Sequence, residues 1–120
     1  MASEGRRAKA LELLGLARRA GAVERGVDAT RRAVRDGRAR LVLIAEDASA
    51  AQIKKIIGLL EHRTIPRRTA GRRGELGAAV GAPPLSAVAI TRRDFAEPML
   101  RHLPDERVGR EERDEASGGS

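Results

Sequence analysis

The stretch from Gly26 to Arg32, Gly-Val-Asp-Ala-Thr-Arg-Arg, combines residue types that suit contact with a polyanion. A glycine that opens a helix allows close approach to backbone N–H groups, which attract phosphate. Arg31 and Arg32 would then reach phosphates or guanine edges from the first turns of that helix. The same residues also fit an ordinary capped helix in which Asp28 complements the helix dipole, so residue types alone favour neither interpretation.

A second group of basic residues lies further along the chain. Its members are Arg63, Arg67, Arg68, Arg72 and Arg73. Such a cluster could follow a phosphate backbone, and each phosphate neutralised would add to the salt dependence of binding. The cluster is equally typical of a solvated surface, so it does not by itself indicate a site.

No residue pattern supports catalysis. His62 and His102 lack a nucleophile and an orienting partner at any recognisable spacing, and we interpret both as surface residues. Glu46 and Asp47 follow an apolar strand, where active-site carboxylates often lie in α/β sheets, but Asp47 directly precedes a predicted helix and is better explained as its cap. Because the sequence has no nucleotide-binding glycine loop and no cysteine, we expect no enzyme, no cofactor and no metal site.

The charge of the chain favours a nucleic-acid partner. The 120 residues carry a formal net charge of +7, and the positive excess lies in residues 1–103, because residues 104–120 hold six acids and only three arginines. Phe95 is the only aromatic residue, which disfavours the RRM, OB-fold and cold-shock classes that stack bases on aromatic side chains. No apolar run approaches the ~20 residues of a membrane span, so we expect a cytoplasmic protein with no membrane partner.

Apolar periodicity predicts five helices within residues 1–103. The first covers residues 6–20, the second runs from residue 27 to Gly37, and the third begins at a cap on Asp47 or Ser49 and reaches the region of residue 62. A short helix over 75–81 leads into a rigid loop at 82–85. The last helix is predicted to begin with Thr91 as its cap and to end before Pro104.

Four short strands separate these helices, over residues 22–25, 41–45, 65–69 and 87–90. The continuous apolar run of 41–45 indicates a strand buried on both faces at the centre of a sheet, whereas Pro66 places 65–69 near an edge. The alternation predicts an α/β fold, a three-layer α/β/α sandwich with a small mixed four-stranded sheet. Residues 104–120 have almost nothing to bury, and we predict that they form a disordered charged tail.

Taken in order, several segments resemble the L7Ae family of ribosomal and kink-turn RNA-binding proteins, in particular its bacterial YlxQ-like members. The resemblance runs from about residue 8 to residue 103. The segments that carry it are Leu13 to Gly21 (LLGLARRAG), Gly26 to Arg32, Ala39 to Ala48 (ARLVLIAEDA), Ile65-Pro66 and Leu76 to Gly81 (LGAAVG). The resemblance implies recognition of kink-turns, which are sharply bent RNA duplexes built around sheared G·A pairs.

In that family a Gly-x-Asn-Glu-x-x-Lys motif contacts the guanines and neighbouring phosphates, and a hydrophobic loop before the last strand covers the flipped-out nucleotides. By position, the resemblance assigns the motif's glycine, asparagine, glutamate and lysine to Gly26, Asp28, Ala29 and Arg32, and the loop to residues 82–85. Two of the four positions depart from the motif. A carboxylate at Asp28 cannot donate to guanine O6, although it can accept from guanine N–H groups, and Ala29 can do neither.

The sequence therefore predicts a non-enzymatic, monomeric protein that binds structured RNA, kink-turn-like or ribosomal, by shape and phosphate contacts. A ribosome-associated location would follow from a ribosomal target. The alternative is a protein–protein adaptor on the same fold, which would account for the two altered base-reading positions. The predicted RNA-binding residues are Gly26, Val27, Asp28, Ala29, Thr30, Arg31, Arg32, Arg35, Ala82, Pro83, Pro84 and Leu85.

Overall fold

A computed structural model of the chain describes residues 4–104. In chain order the elements are α1 (Glu4–Arg19), β1 (Val23–Arg25), α2 (Val27–Arg35), β2 (Leu41–Ile44), α3 (Ala50–Leu60), β3 (Arg67–Thr69), α4 (Arg73–Ala79), β4 (Ala87–Ile90) and α5 (Arg93–His102). The predicted order of helices and strands is confirmed. Residues 1–3 and 105–120 lie outside the described part, and with them nearly all of the segment predicted to be disordered.

The four strands form one mixed sheet in the order β1-β4-β2-β3. β2 pairs in parallel with β3 and antiparallel with β4, while β1 pairs antiparallel with β4. β2 is therefore an inner strand, with all four residues buried, and β3 lies at an edge. Both placements confirm what the apolar run of β2 and the proline before β3 predict.

Alternate side chains of the inner strands face two helical layers. Leu41, Leu43, Val88 and Ile90 pack in one core with α1, α4 and α5, whereas the intervening side chains of β2 and β4 pack with α2 and α3. This period-2 alternation on a sheet that is covered on both faces is the physical basis of the three-layer sandwich.

Within residues 4–104, no helix is both long and apolar enough to cross a membrane.

Several element starts differ from the sequence-based expectation by one or two residues, among them α1 at Glu4 and β3 at Arg67. α4 begins at Arg73, two residues early, because Glu75 and Asp47 accept the backbone N–H groups of Arg72 and Arg73. The prediction that Thr91 caps α5 is wrong. The Thr91 N–H donates to the Ala22 carbonyl at 2.9 Å, which extends the contact between the first and last strands, and the helix has Arg92 as its N-cap without a side-chain hydrogen bond.

The sheet topology brings several loops together at one end, here called the Gly26 end. β1, β2 and β3 all finish there and β4 begins there, as the pairs Arg25–Val88, Ile44–Ala87 and Ile44–Thr69 show. The turn into α2, the β2–α3 connection, the start of α4 and the loop before β4 therefore lie along one border of the molecule.

Candidate nucleic-acid interface

The turn into α2 has the backbone that the sequence predicts. Gly26 has φ 97° and ψ 167°, a conformation accessible almost only to glycine. Its N–H donates to the Ala87 carbonyl at 2.9 Å, and its own carbonyl accepts the Thr30 N–H at 2.9 Å, which begins the helix. No side chain caps this helix start, so the first-turn N–H groups have no side-chain acceptor there.

The side chains of α2 divide into a buried and an exposed set. Thr30 is fully buried, and its Oγ1 has no hydrogen-bond partner among the described residues, so this side chain lies behind the exposed surface. Asp28, Arg32 and Arg35 are exposed. Arg31, which the sequence predicts to contact RNA, is only half exposed, and its Nε is buried. Arg32 and Arg35 are thus the two open cations of this helix.

The predicted loop at residues 82–85 is packed closely onto α4. The Leu85 N–H donates to the Arg73 carbonyl at 3.1 Å. A Cβ atom on Gly77 would lie 2.3 Å from the Pro83 carbonyl oxygen, so only glycine permits this approach. Pro83 and Pro84 are exposed, whereas Ala82 and Leu85 are half-buried. The loop therefore presents two prolines to solvent on a fixed support.

The turn and the loop, 50 or more residues apart in sequence, lie side by side. A Cβ atom on Gly26 would lie 3.9 Å from Cδ2 of Leu85, which is ordinary van der Waals contact. Half-buried Val27 and Ala29 occupy the same first turn as exposed Asp28. The structure thus brings together the two segments that the sequence predicts as one site.

Asp47 caps a different helix from the one predicted. Ser49 caps α3, where its Oγ accepts the Gln52 N–H at 3.3 Å. The Asp47 carboxylate instead accepts the Arg73 N–H at 2.7 Å and lies 3.5 Å and 3.8 Å from the Nε atoms of Arg73 and Arg72. The hydrogen bond from Arg73, with the two guanidinium groups, lowers the pKa of Asp47. This carboxylate therefore ties the β2–α3 connection to the start of α4.

Replacing Asp47 by asparagine should lower the thermal unfolding midpoint at neutral pH and remove part of its decline in acid. Because the folded-state pKa lies below the ordinary value of 3.8, the charged carboxylate stabilises the fold at higher pH, and this contribution is lost as the pH falls through the folded-state pKa. Thermal unfolding followed from neutral pH down to about pH 2 should show the two proteins converge in acid. A gap of constant size across that range would contradict this role.

The five clustered arginines have different local contacts. Arg63 donates to the Leu59 carbonyl at 2.7 Å, at the end of α3, and Arg68 donates to the Leu103 carbonyl at 3.3 Å beside the edge strand. Arg72 and Arg73 lie at the other end of that strand, paired with Asp47. The cluster thus extends from the end of α3 along β3 to the start of α4.

The carboxylate and histidine side chains considered in the sequence analysis lie in separate surroundings. Glu46 forms an ion pair with Arg7. Residues 4–104 contain no group of three or more His, Cys, Asp or Glu side chains placed to hold a metal ion. His62 is exposed on the surface and His102 is half-buried.

Sequence analysis missed Arg25, the residue before the glycine turn. Its Nη1 donates to the Val80 carbonyl at 3.2 Å, which links β1 to the end of α4 just before the loop. A contact between residues 55 positions apart leaves no periodic or motif signal. Only the basic side chain next to Gly26 could have drawn attention to it.

Comparison with known proteins gives consistent matches. Residues 8–99 match the model of the ribosomal protein L7Ae/L30e/S12e/Gadd45 family. The chain is 36% identical over 91 residues to the RNA-binding protein YlxQ of Bacillus subtilis (strain 168), a match that covers 76% of this chain and 91% of YlxQ.

Two solved structures resemble the fold. A protein of unknown function from Bacillus halodurans superposes with a TM-score of 0.71 at 31% identity, over 76% of this chain and 92% of that one. The Giardia lamblia 15.5kD RNA binding protein superposes with a TM-score of 0.69 at 25% identity, over 85% of this chain and 91% of that one.

Proposed function

The chain belongs to the ribosomal protein L7Ae/L30e/S12e/Gadd45 family, and on that premise we propose that it binds structured RNA without catalysing a reaction. Two similar proteins, YlxQ and the Giardia 15.5kD protein, are named for RNA binding. The proposed target is a kink-turn or a similarly bent ribosomal RNA element. A cytoplasmic, ribosome-associated location follows from a ribosomal target.

The contact between Leu85 and the Gly26 turn is the observation that carries the proposal. It unites an uncapped helix start, which favours phosphate, with an exposed proline pair that can cover an unstacked nucleotide. Arg32 and Arg35 extend from the same helix with no ion pair to any described residue, so their charges are available to RNA. One surface thus offers backbone donors, cations and apolar cover.

The two altered motif positions determine which features of the RNA this surface recognises. Because the Asp28 carboxylate cannot donate to guanine O6 and the Ala29 side chain forms no hydrogen bond, part of the base-edge hydrogen bonding of the family motif is lost, at about 1–3 kcal/mol for each good pair. Arg32, at the lysine position of the motif, and the uncapped start of α2 remain available to phosphate. We therefore propose that the protein recognises the bent shape of the backbone more than the identity of the bases.

Crosslinking in cells, followed by sequencing of the bound RNA, tests this proposal. We expect recovered fragments to concentrate at structured elements with sharply bent internal loops. Recovery of RNA no greater than from cells that were not irradiated would contradict RNA binding. In that case the alternative function, a protein–protein adaptor, would replace the RNA-binding proposal. The altered Asp28 and Ala29 positions are consistent with that alternative.

A further inference from the structure

Arg18 and Arg25 converge on the end of α4 from two different elements. Arg25 donates to the Val80 carbonyl at 3.2 Å. Arg18, in the last turns of α1, places its Nη2 atom 3.1 Å from the position that a Cβ on Gly81 would take. Both side chains are exposed. Two guanidinium groups therefore lie at the surface beside two consecutive residues, Val80 and Gly81.

The residues that they contact form the entrance to the 82–85 loop. Gly81 has φ 65°, its N–H donates to the Ala78 carbonyl at 3.3 Å, and the Ala82 N–H donates to the Gly77 carbonyl at 2.8 Å. These two bonds define a Schellman turn, which ends α4 and directs the chain into the loop. The loop therefore extends from Arg18 at its start to the Gly26 turn at Leu85.

Neither guanidinium is neutralised within the described residues. Other arginines at this end of the sheet pair with carboxylates, as Arg7 does with Glu46 and as Arg72 and Arg73 do with Asp47. Arg18 and Arg25 have no carboxylate partner among residues 4–104. The end of α4 supplies a partial negative charge of about half an elementary charge, which offsets only part of two full positive charges.

We infer that Arg18 and Arg25 together bind backbone phosphates of the RNA strand that passes beyond the 82–85 loop. The inference rests on the proposed function and extends its footprint. In chain order, the exposed prolines follow the contacts of Arg18 and Arg25 at residues 80 and 81 and precede Leu85, which lies beside the turn that begins α2. A strand whose direction changes over the prolines has its phosphates held on both sides of the bend.

The test compares two double variants of the full chain in their binding to a kink-turn RNA over a series of KCl concentrations. The first is Arg18→Gln with Arg25→Gln. The matched control is Arg40→Gln with Arg93→Gln, since Arg40 precedes β2 and Arg93 follows β4 at the opposite end of the sheet, both exposed and without an ion pair among the described residues. Each protein loses two positive charges.

Loss of two phosphate contacts should reduce the slope of log K against log salt by roughly 1.5 and lower the affinity about tenfold at physiological salt. The control should keep the wild-type slope. A third variant, Arg18→Lys with Arg25→Lys, should retain most of the slope because its charges remain. If the glutamine pair is too unstable to use, the single variants Arg18→Gln and Arg25→Gln provide the test, each with an expected reduction of the slope by roughly 0.8.

Other outcomes overturn the inference. An unchanged slope in the glutamine pair, with or without a lower unfolding midpoint, would mean that the two arginines only stabilise the end of α4. Equal losses in both double variants would indicate a general charge effect. If the wild-type protein binds no RNA, the proposed function fails and this inference fails with it, whereas wild-type binding with an unaffected glutamine pair refutes this inference alone.

Discussion

The double substitution Arg32→Glu with Arg35→Glu is expected to reduce RNA affinity by roughly a hundredfold or more, because two phosphate-attracting charges become two repelling ones. Both side chains are exposed on α2, the helix that begins at the Gly26 turn, and neither is paired with a carboxylate of the described residues. Arg31 is left unchanged because its Nε is buried, so its replacement would also disturb packing. Titration of RNA at a fixed, physiological salt concentration measures the change.

The matched control is Lys54→Glu with Lys55→Glu on α3. These two lysines are exposed neighbours without an ion pair among residues 4–104, and their replacement changes the net charge by the same amount. We expect the control to lose only a few-fold in affinity, through the long-range field. Equal losses in the two proteins would show that net charge, and not the α2 surface, determines RNA binding.

Replacing Gly77 by alanine is expected to destabilise the protein by about 1–3 kcal/mol, as over-packing of a closed interior does. The new Cβ would lie 2.3 Å from the Pro83 carbonyl oxygen and 2.7 Å from that of Ala82, both backbone atoms, so the loop must move. Displacement of the prolines should lower RNA affinity by at least about tenfold, the size of one lost good contact. Chemical denaturation and RNA titration measure the two effects.

Gly74→Ala in the same helix is the control for this substitution. A Cβ on Gly74 would meet no atom within 4 Å. Alanine is the better helix former, so this variant should keep its affinity for RNA and gain up to about 1 kcal/mol of stability. If Gly77→Ala behaves in the same way, the close packing of the loop onto α4 is not what holds the prolines in place.

Local patterns in the sequence account for most of the fold. The apolar run of β2 has no polar position, which predicts an inner strand, and β2 does lie between β4 and β3 with all its residues buried. The stripe of Thr30, Ala33 and Val34 in α2 is buried as its helical period requires. The spacing of apolar residues shows which face of a helix or strand is buried, and this spacing can be seen within each segment alone.

Contacts between segments that are distant in the chain could not be predicted from the sequence. Asp47 lies shortly before α3 in the chain, but its carboxylate accepts the N–H of Arg73, 26 positions away. Which of the two helices it caps depends on the one that the folded sheet brings closer. The approach of Arg18 and Arg25 to the end of α4 has the same origin. Residue types indicated the Gly26 turn and the 82–85 loop separately. The contact between the two depends on the sheet topology.

Isothermal calorimetry with a kink-turn RNA, and with a duplex of the same composition that lacks the kink, tests the central claim most directly. At physiological salt the wild-type protein should bind the kinked RNA at least about tenfold more tightly, a difference of about 1.4 kcal/mol. Phosphate contacts alone would bind both duplexes with similar affinity, so a preference for the kinked RNA measures recognition of the bend. Equal affinity for the two RNAs would contradict shape recognition at the surface formed by the Gly26 turn and the 82–85 loop.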